Sequence, residues 1–242
     1  MGAAVNRQSQ SAVLFLLGAA LLHAGATDLY LRYVKAGLRP LLLAAGAVLI
    51  VTALATAWYE RRRAGRRHAE GHAHPEPRVS WLLILPLLAL ILVAPPALGS
   101  YSATRTGTAL QEPLAYPPLA TADPLPLSVV DYAGRAVYDH GRTLAGRTVR
   151  LTGFVALDHA GTPYLVRMAL NCCAADAQPV KVGLTGHIPP VLQPDTWLAV
   201  TGVYTPRVVH DPVNGGPIPF LEVTDARPVP TPRDPYDESW NN

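Results

Sequence analysis

The sequence predicts a membrane-anchored α + β protein, with three N-terminal transmembrane helices followed by a small OB-like β-barrel domain. Three observations carry that expectation. Three membrane-length apolar stretches lie within the first 99 residues. From Arg147 onward, short β-branched and aromatic runs alternate with Gly, Pro and Asp clusters, as successive strands and turns do. Charge also changes sign between the two parts. Residues 1–99 carry 10 Lys/Arg against 4 Asp/Glu, and residues 100–242 carry 10 against 13. The net charge of +3 is therefore a property of the membrane half. An acidic C-terminal half argues against nucleic acid as a partner, because phosphate binding needs a basic face.

The membrane domain is expected over residues 1–99, with helices at about 11–30, 38–59 and 79–98. Each stretch approaches the roughly 20 residues needed to cross a bilayer core of about 30 Å. The first holds His23 and ends near Asp28. Ionisable groups at membrane depth are candidates for transport, although Arg32 stands close enough in sequence to pair with Asp28 at the interface. Ala24-Gly25-Ala26 also resembles a signal-peptidase site, but a single Arg7 makes a weak leader. The Met-Gly start lacks Ser or Thr at position 6, so it does not read as a myristoylation signal.

Orientation follows from the arginines. The loop 60–78 contains Arg61, Arg62, Arg63, Arg66, Arg67 and Arg78, against Arg32, Lys35 and Arg39 in the preceding turn. The arginine-dense loop is expected in the cytoplasm. That makes the chain a multi-pass protein of the cell membrane, with its N-terminus inside and its C-terminal domain outside. The same loop carries His68, His72 and His74, an imidazole density that suits Zn²⁺, Co²⁺ or Ni²⁺. Its arginine field repels cations, so a solvated topology determinant is the competing reading.

Residues 100–126, rich in Pro, Ala, Thr and Leu, read as an extended linker. In the domain at 127–228, Leu127, Val130, Ala133, Val137 and Tyr138 recur at helical spacing, and Gly141 is a stop. Strands are expected at 148–155, 163–170, 180–185, 196–204 and 220–224. Gly153 and Gly202 fall inside two of them, where small barrels place bulges or bends. A helix with five short strands fits a partly closed Greek-key barrel of the OB type, and a five-stranded open sandwich nearly as well. Residues 229–242 read as a disordered tail.

Both cysteines of the chain are adjacent, Cys172 and Cys173. Neighbouring Cα atoms lie about 3.8 Å apart, shorter than disulfides prefer. Adjacent strand side chains point to opposite faces, so both sulfurs reach one metal only if the chain turns there. Asp176 could close such a turn. Three readings stay open: packing of one thiol in the barrel, a metal site of both thiolates or of one with Asp176 and a histidine, and redox chemistry. The histidines of the domain, His140, His159, His187 and His210, show no tight ligand spacing. No Ser/His/Asp triad, paired carboxylates or phosphate-cradling glycine loop stands out, so no catalytic residues are expected.

The stretch from Asp28 to Leu43, the His-containing loop, Ala94–Gly99, Cys172-Cys173-Ala-Ala-Asp176 and Trp197-x-x-Val-Thr-Gly202 together resemble the YcgQ-like family of bacterial permease subunits. The resemblance implies an accessory subunit that docks on a larger multi-span permease in the lipid bilayer. It lends Cys172, Cys173 and Asp176 as motif residues, and histidine-rich loops among its members suggest divalent metal handling; the cofactor itself is open, and among first-row ions thiolate ligands fit zinc. A membrane-anchored thiol protein, or an assembly module that binds another protein, are the alternatives. The thiol reading needs a basic neighbour for a cysteine; Arg167 leads into the pair and His187 follows it.

Overall fold

The computed structural model describes residues 7–64, 82, 84–93 and 95–238. They form two units, Met1–Tyr30 with Ala36–Pro96, and Leu31–Lys35 with Ala97–Asn242.

In the first unit, α1 (Arg7–Ala26) packs along α2 (Arg39–Ala64), and α3 (Ile84–Leu92) packs on α1. Gly18 and Gly46 let the two long helices approach closely. A Cβ on Gly18 would stand 2.9 Å from the Gly46 carbonyl oxygen, and one on Gly46 3.1 Å from that of Gly18. Two stretches, Gln8–Ala26 and Ala36–Arg62, are long and apolar enough to cross a membrane. The expected third span, 79–98, is corrected. Among the described residues there are two candidate spans rather than three, and α3 covers nine residues. Pro95-Pro96 bars the helix from continuing, since proline lacks the N–H and restricts the residue before it. Residues 79–81, 83 and 94 lie outside the described residues.

The second unit is a five-stranded barrel. β2 (Thr148–Leu157) pairs antiparallel with both β3 (Pro163–Leu170) and β5 (Trp197–His210). β4 (Gln178–Gly186) pairs antiparallel with β3 and parallel with β6 (Pro217–Pro228), and β6 pairs antiparallel with β5. The ring therefore closes as β2-β5-β6-β4-β3-β2, which fits the OB-type barrel that the sequence suggests. Two short strands extend the sheet: β1 (Leu125–Pro126) lies parallel on β2, and β7 (Tyr236–Glu238) parallel on β3. The barrel interior follows the period of two along each strand. Val149 and Leu151 on β2, Val180 and Val182 on β4, and Leu198 and Val200 on β5 are all buried.

Helix α5 (Val129–Val137) packs into this core with Tyr132, Ala133 and Ala136. Ser128 caps it by accepting from the Asp131 amide at 2.9 Å, and the buried Tyr132 hydroxyl donates to the Phe220 carbonyl at 2.7 Å. The outer faces of β2 and β3 carry Phe154, Val166 and Met168, which pack with Ala103 of α4 (Ser100–Arg105).

The segment read as a linker, 100–126, thus contributes a helix and a strand to the unit, and Thr108 and Leu125 within it are buried. Proline-rich composition limits regular structure there without preventing burial. The segment read as a tail differs in the same way. Tyr236 is buried, and Asp237 accepts from Arg167 at 2.9 Å and from the Val129 amide at 3.1 Å. Residues 239–242 lie outside the described residues.

Strands β5 and β6 run further than the sequence suggests. Pro206, Arg207 and Pro219 obscure their ends, and a register shift between Thr205 and Val208 accommodates a proline that cannot donate to the ladder. Gly202 stands at the other register shift, after Thr201, with its Cα pressed against β6. A Cβ there would run into the Glu222 carbonyl oxygen. Gly202→Ala is therefore expected to destabilise the unit by roughly 1–3 kcal/mol, as overpacking against backbone does. Urea denaturation followed by tryptophan fluorescence measures this.

Candidate metal centre

The β3–β4 connection, residues 171–177, folds back on itself around one carboxylate. Asp176 accepts from the Asn171 amide at 3.0 Å through Oδ1 and from the Cys172 amide at 2.9 Å through Oδ2. Its own amide donates to the Cys173 carbonyl at 3.1 Å. The chain therefore turns at the cysteine pair, the condition for both sulfurs to reach one ion. The two Sγ atoms and an Asp176 oxygen lie within 4.8 Å of one another. Both cysteines are free thiols, Cys172 exposed and Cys173 half-buried. Asp176 and Asn171 also line a small cavity of about 80 Å³ with Gln111 and Gln178.

A second strand-like segment supports the turn from outside. The Ala174 amide donates to the Tyr33 carbonyl at 2.7 Å, and the Lys35 amide donates to the Cys172 carbonyl at 3.0 Å. Val34 faces Cys173 in this short antiparallel bridge. Tyr236 ties the same segment to the tail, donating its hydroxyl to the Arg32 carbonyl at 3.0 Å.

The electrostatics of the turn favour a protonated thiol beside an ionised carboxylate. Hydrogen bonding to Asp176, then to Cys173, pushes the Cys172 thiol up to about 12. Burial acts to raise the Asp176 carboxyl, but the Cys172 thiol and the backbone amides donating to it hold it below the ordinary carboxylate range. A thiol held protonated is a weak nucleophile, because the thiolate is the reactive form. Asp176→Asn removes the charge that holds the proton. With metal chelated away, alkylation of Cys172 by iodoacetamide at neutral pH is expected to quicken about tenfold or more. Site-resolved mass spectrometry reads that rate.

Cys172, Cys173 and Asp176 are thus brought together. Among the described residues no histidine joins them, and His140, His159, His187 and His210 lie outside the cluster. His68, His72 and His74 lie outside the described residues. Two thiolates and a carboxylate suit zinc, which takes sulfur, nitrogen and oxygen donors, and three protein ligands leave a position of the tetrahedron open.

The sequence reading missed a second constellation, a buried ion pair. Lys181 Nζ stands 2.7 Å from Asp211 Oδ2, with side chains 8% and 0% exposed. Its one sequence signal is a lysine between Val180 and Val182 in a core strand.

Residues 129–237, the span from α5 into β7 that includes the cysteine turn, match the family model described as the DUF1980 C-terminal domain. No curated protein and no solved structure matches the chain.

Proposed function

We propose that this chain is an accessory subunit of a membrane permease, of the YcgQ-like kind, whose barrel handles a divalent transition metal through Cys172, Cys173 and Asp176. The observation that carries the reading is the convergence of two sulfurs and a carboxylate oxygen within 4.8 Å. The DUF1980 C-terminal domain over the barrel and the two apolar helices are consistent with that family. An open coordination position suits an ion that is passed on, whereas a structural zinc site is closed by four protein ligands. The same geometry disfavours a thiol enzyme, since the Cys172 proton is held by Asp176 rather than removed by a base.

The proposed membrane sidedness rests on charge. The arginines of loop 60–78 favour the cytoplasm for that loop. In this reading the N-terminus is inside and the barrel is extracytoplasmic. His68, His72 and His74 would face the cytoplasm, as a second and weaker metal-collecting station across the membrane from the thiols.

The test is elemental mass spectrometry of the untagged full-length protein, purified under reductant, alongside metal uptake by cells with and without the subunit. About one zinc per chain, lost in Cys172→Ser/Cys173→Ser, and uptake that falls without the subunit are expected. Absence of metal together with unchanged uptake contradicts the proposal.

A further inference from the structure

A second cavity, of about 440 Å³, opens on the barrel between the β2–β3 loop (158–162) and the β5–β6 loop (211–216). It shares no lining residue with the thiol cluster. The volume lies in the range of small-molecule sites, about 300–1,000 Å³. Its lining is apolar at Ala103, Ala156, Leu157 and Ile218 and polar at Asp158, His159 and Tyr164, with the buried Lys181 and Asp211 behind them.

Both loops are held closed by their own bonds. Asp158 Oδ1 accepts from the Ala160 and Thr162 amides at 2.8 and 2.7 Å, and the Gly161 amide donates to the Asp158 carbonyl at 3.0 Å. In the other loop the Gly215 amide donates to the Asp211 carbonyl at 2.7 Å, and Asp211 Oδ1 accepts from Val213 at 2.9 Å. Gly161 and Gly215 take φ of +82° and +72°, a conformation that favours glycine. The rim is therefore preformed, which lowers the entropy lost on binding.

The charges on the lining are unequal in availability. Lys181 and Asp211 neutralise each other. Asp211 also accepts from the Thr108 amide at 2.9 Å, and Lys181 Nζ also donates to the Thr106 carbonyl at 2.9 Å. Asp158 is the remaining formal charge; the Thr162 hydroxyl also bonds to its carboxylate, and the contact of its Oδ2 with the Tyr164 hydroxyl is long, 3.5 Å. That oxygen keeps acceptor capacity on the rim of an apolar cavity.

We infer that this cavity binds a small organic amine, its ammonium on Asp158 Oδ2 and the Tyr164 hydroxyl oxygen, and its hydrocarbon body against Ala156, Leu157 and Ile218. The location agrees with the physics of the fold. In OB barrels the loops after the first and fourth strands frame the ligand face, and here those loops follow β2 and β5.

Three probes of one shape separate charge from apolar contact: benzylamine, benzyl alcohol and benzoate. Saturation-transfer NMR titrations on the full-length protein in lipid nanodiscs, with empty nanodiscs subtracted, give their relative affinities at pH 8. Benzylamine is expected to bind at least about tenfold tighter than benzoate, the discrimination of one charge-assisted contact. Asp158→Asn keeps an acceptor for the two loop amides and should bring the probes to parity. Val213→Trp, which fills the mouth from an exposed loop position, should weaken benzylamine. Benzylamine that does not saturate, or a preference unchanged in Asp158→Asn, overturns the inference.

Discussion

Asp211→Ala is expected to destabilise the barrel by about 3–5 kcal/mol, because it strands the Lys181 ammonium in the barrel wall. The aspartate side chain is fully buried and collects Lys181, the Thr108 amide and the Val213 amide, so three donors lose their acceptor at once. For a domain of this size the midpoint of thermal unfolding should fall by roughly 10–20 °C. Lys181→Met/Asp211→Leu should cost less than the single change, since it removes both charges instead of one. The pH response has a defined sign. Burial acts to raise the Asp211 carboxyl, but the bonds from Lys181, Val213 and Thr108 outweigh it and hold the group below its ordinary value. A depressed folded-state value contributes stability above the unfolded-state value of about 3.9 and loses it as pH falls through the folded one. The pair should therefore persist in mild acid and fail only in strong acid. Thermal unfolding from pH 7 to pH 3 measures this, and a single mutant within 1 kcal/mol of wild type would mean that the pair is hydrated in solution.

Zinc affinity is expected to climb steeply with pH, between tenfold and hundredfold for each unit from pH 6 to 8. Each thiol must lose its proton to ligate, and the Cys172 proton is held up to about 12 in the metal-free protein. The Asp176 carboxyl lies below the ordinary carboxylate range and so adds no slope in that window. Cys172→Ser should lower the slope by about one proton. A site built on His68, His72 and His74 would behave differently. Imidazoles, with ordinary values near 6.5, are already neutral by about pH 7.5, and the curve would flatten there. Competition titrations against a chromophoric chelator across this range separate the two sets of ligands.

The barrel was readable because its strands obey a local rule. Thr148, Pro163 and Trp197 open three strands within a residue of where β-branched periodicity and turn residues put them. The helix at Val129–Val137 was readable from apolar spacing alone. What stayed hidden rests on contacts distant in sequence. The bridge of Val34 to Cys173 and the bond of Tyr236 to Arg32 have no periodic signature on either side. Strand β7 is three residues long, and its stabilisation comes from Arg167 and Asp237 rather than from an apolar run. At the site, the adjacency of the cysteines was plain, and the turn that aligns them depends on a single carboxylate, Asp176, that only the fold shows accepting two amides. The Lys181–Asp211 pair lay hidden because its members come from different strands and loops. The same holds for the cavity between the 158–162 and 211–216 loops, which exists only once the ring has closed.

The most direct test of the metal centre is zinc K-edge X-ray absorption on the full-length protein loaded with one equivalent of zinc under reductant. Two sulfurs at about 2.3 Å, with lighter oxygen or nitrogen ligands at about 2.0–2.2 Å, are the predicted shell. Loss of one sulfur in Cys173→Ser would assign it to the turn. A shell of nitrogen and oxygen alone would contradict the account and move metal binding to the histidine loop.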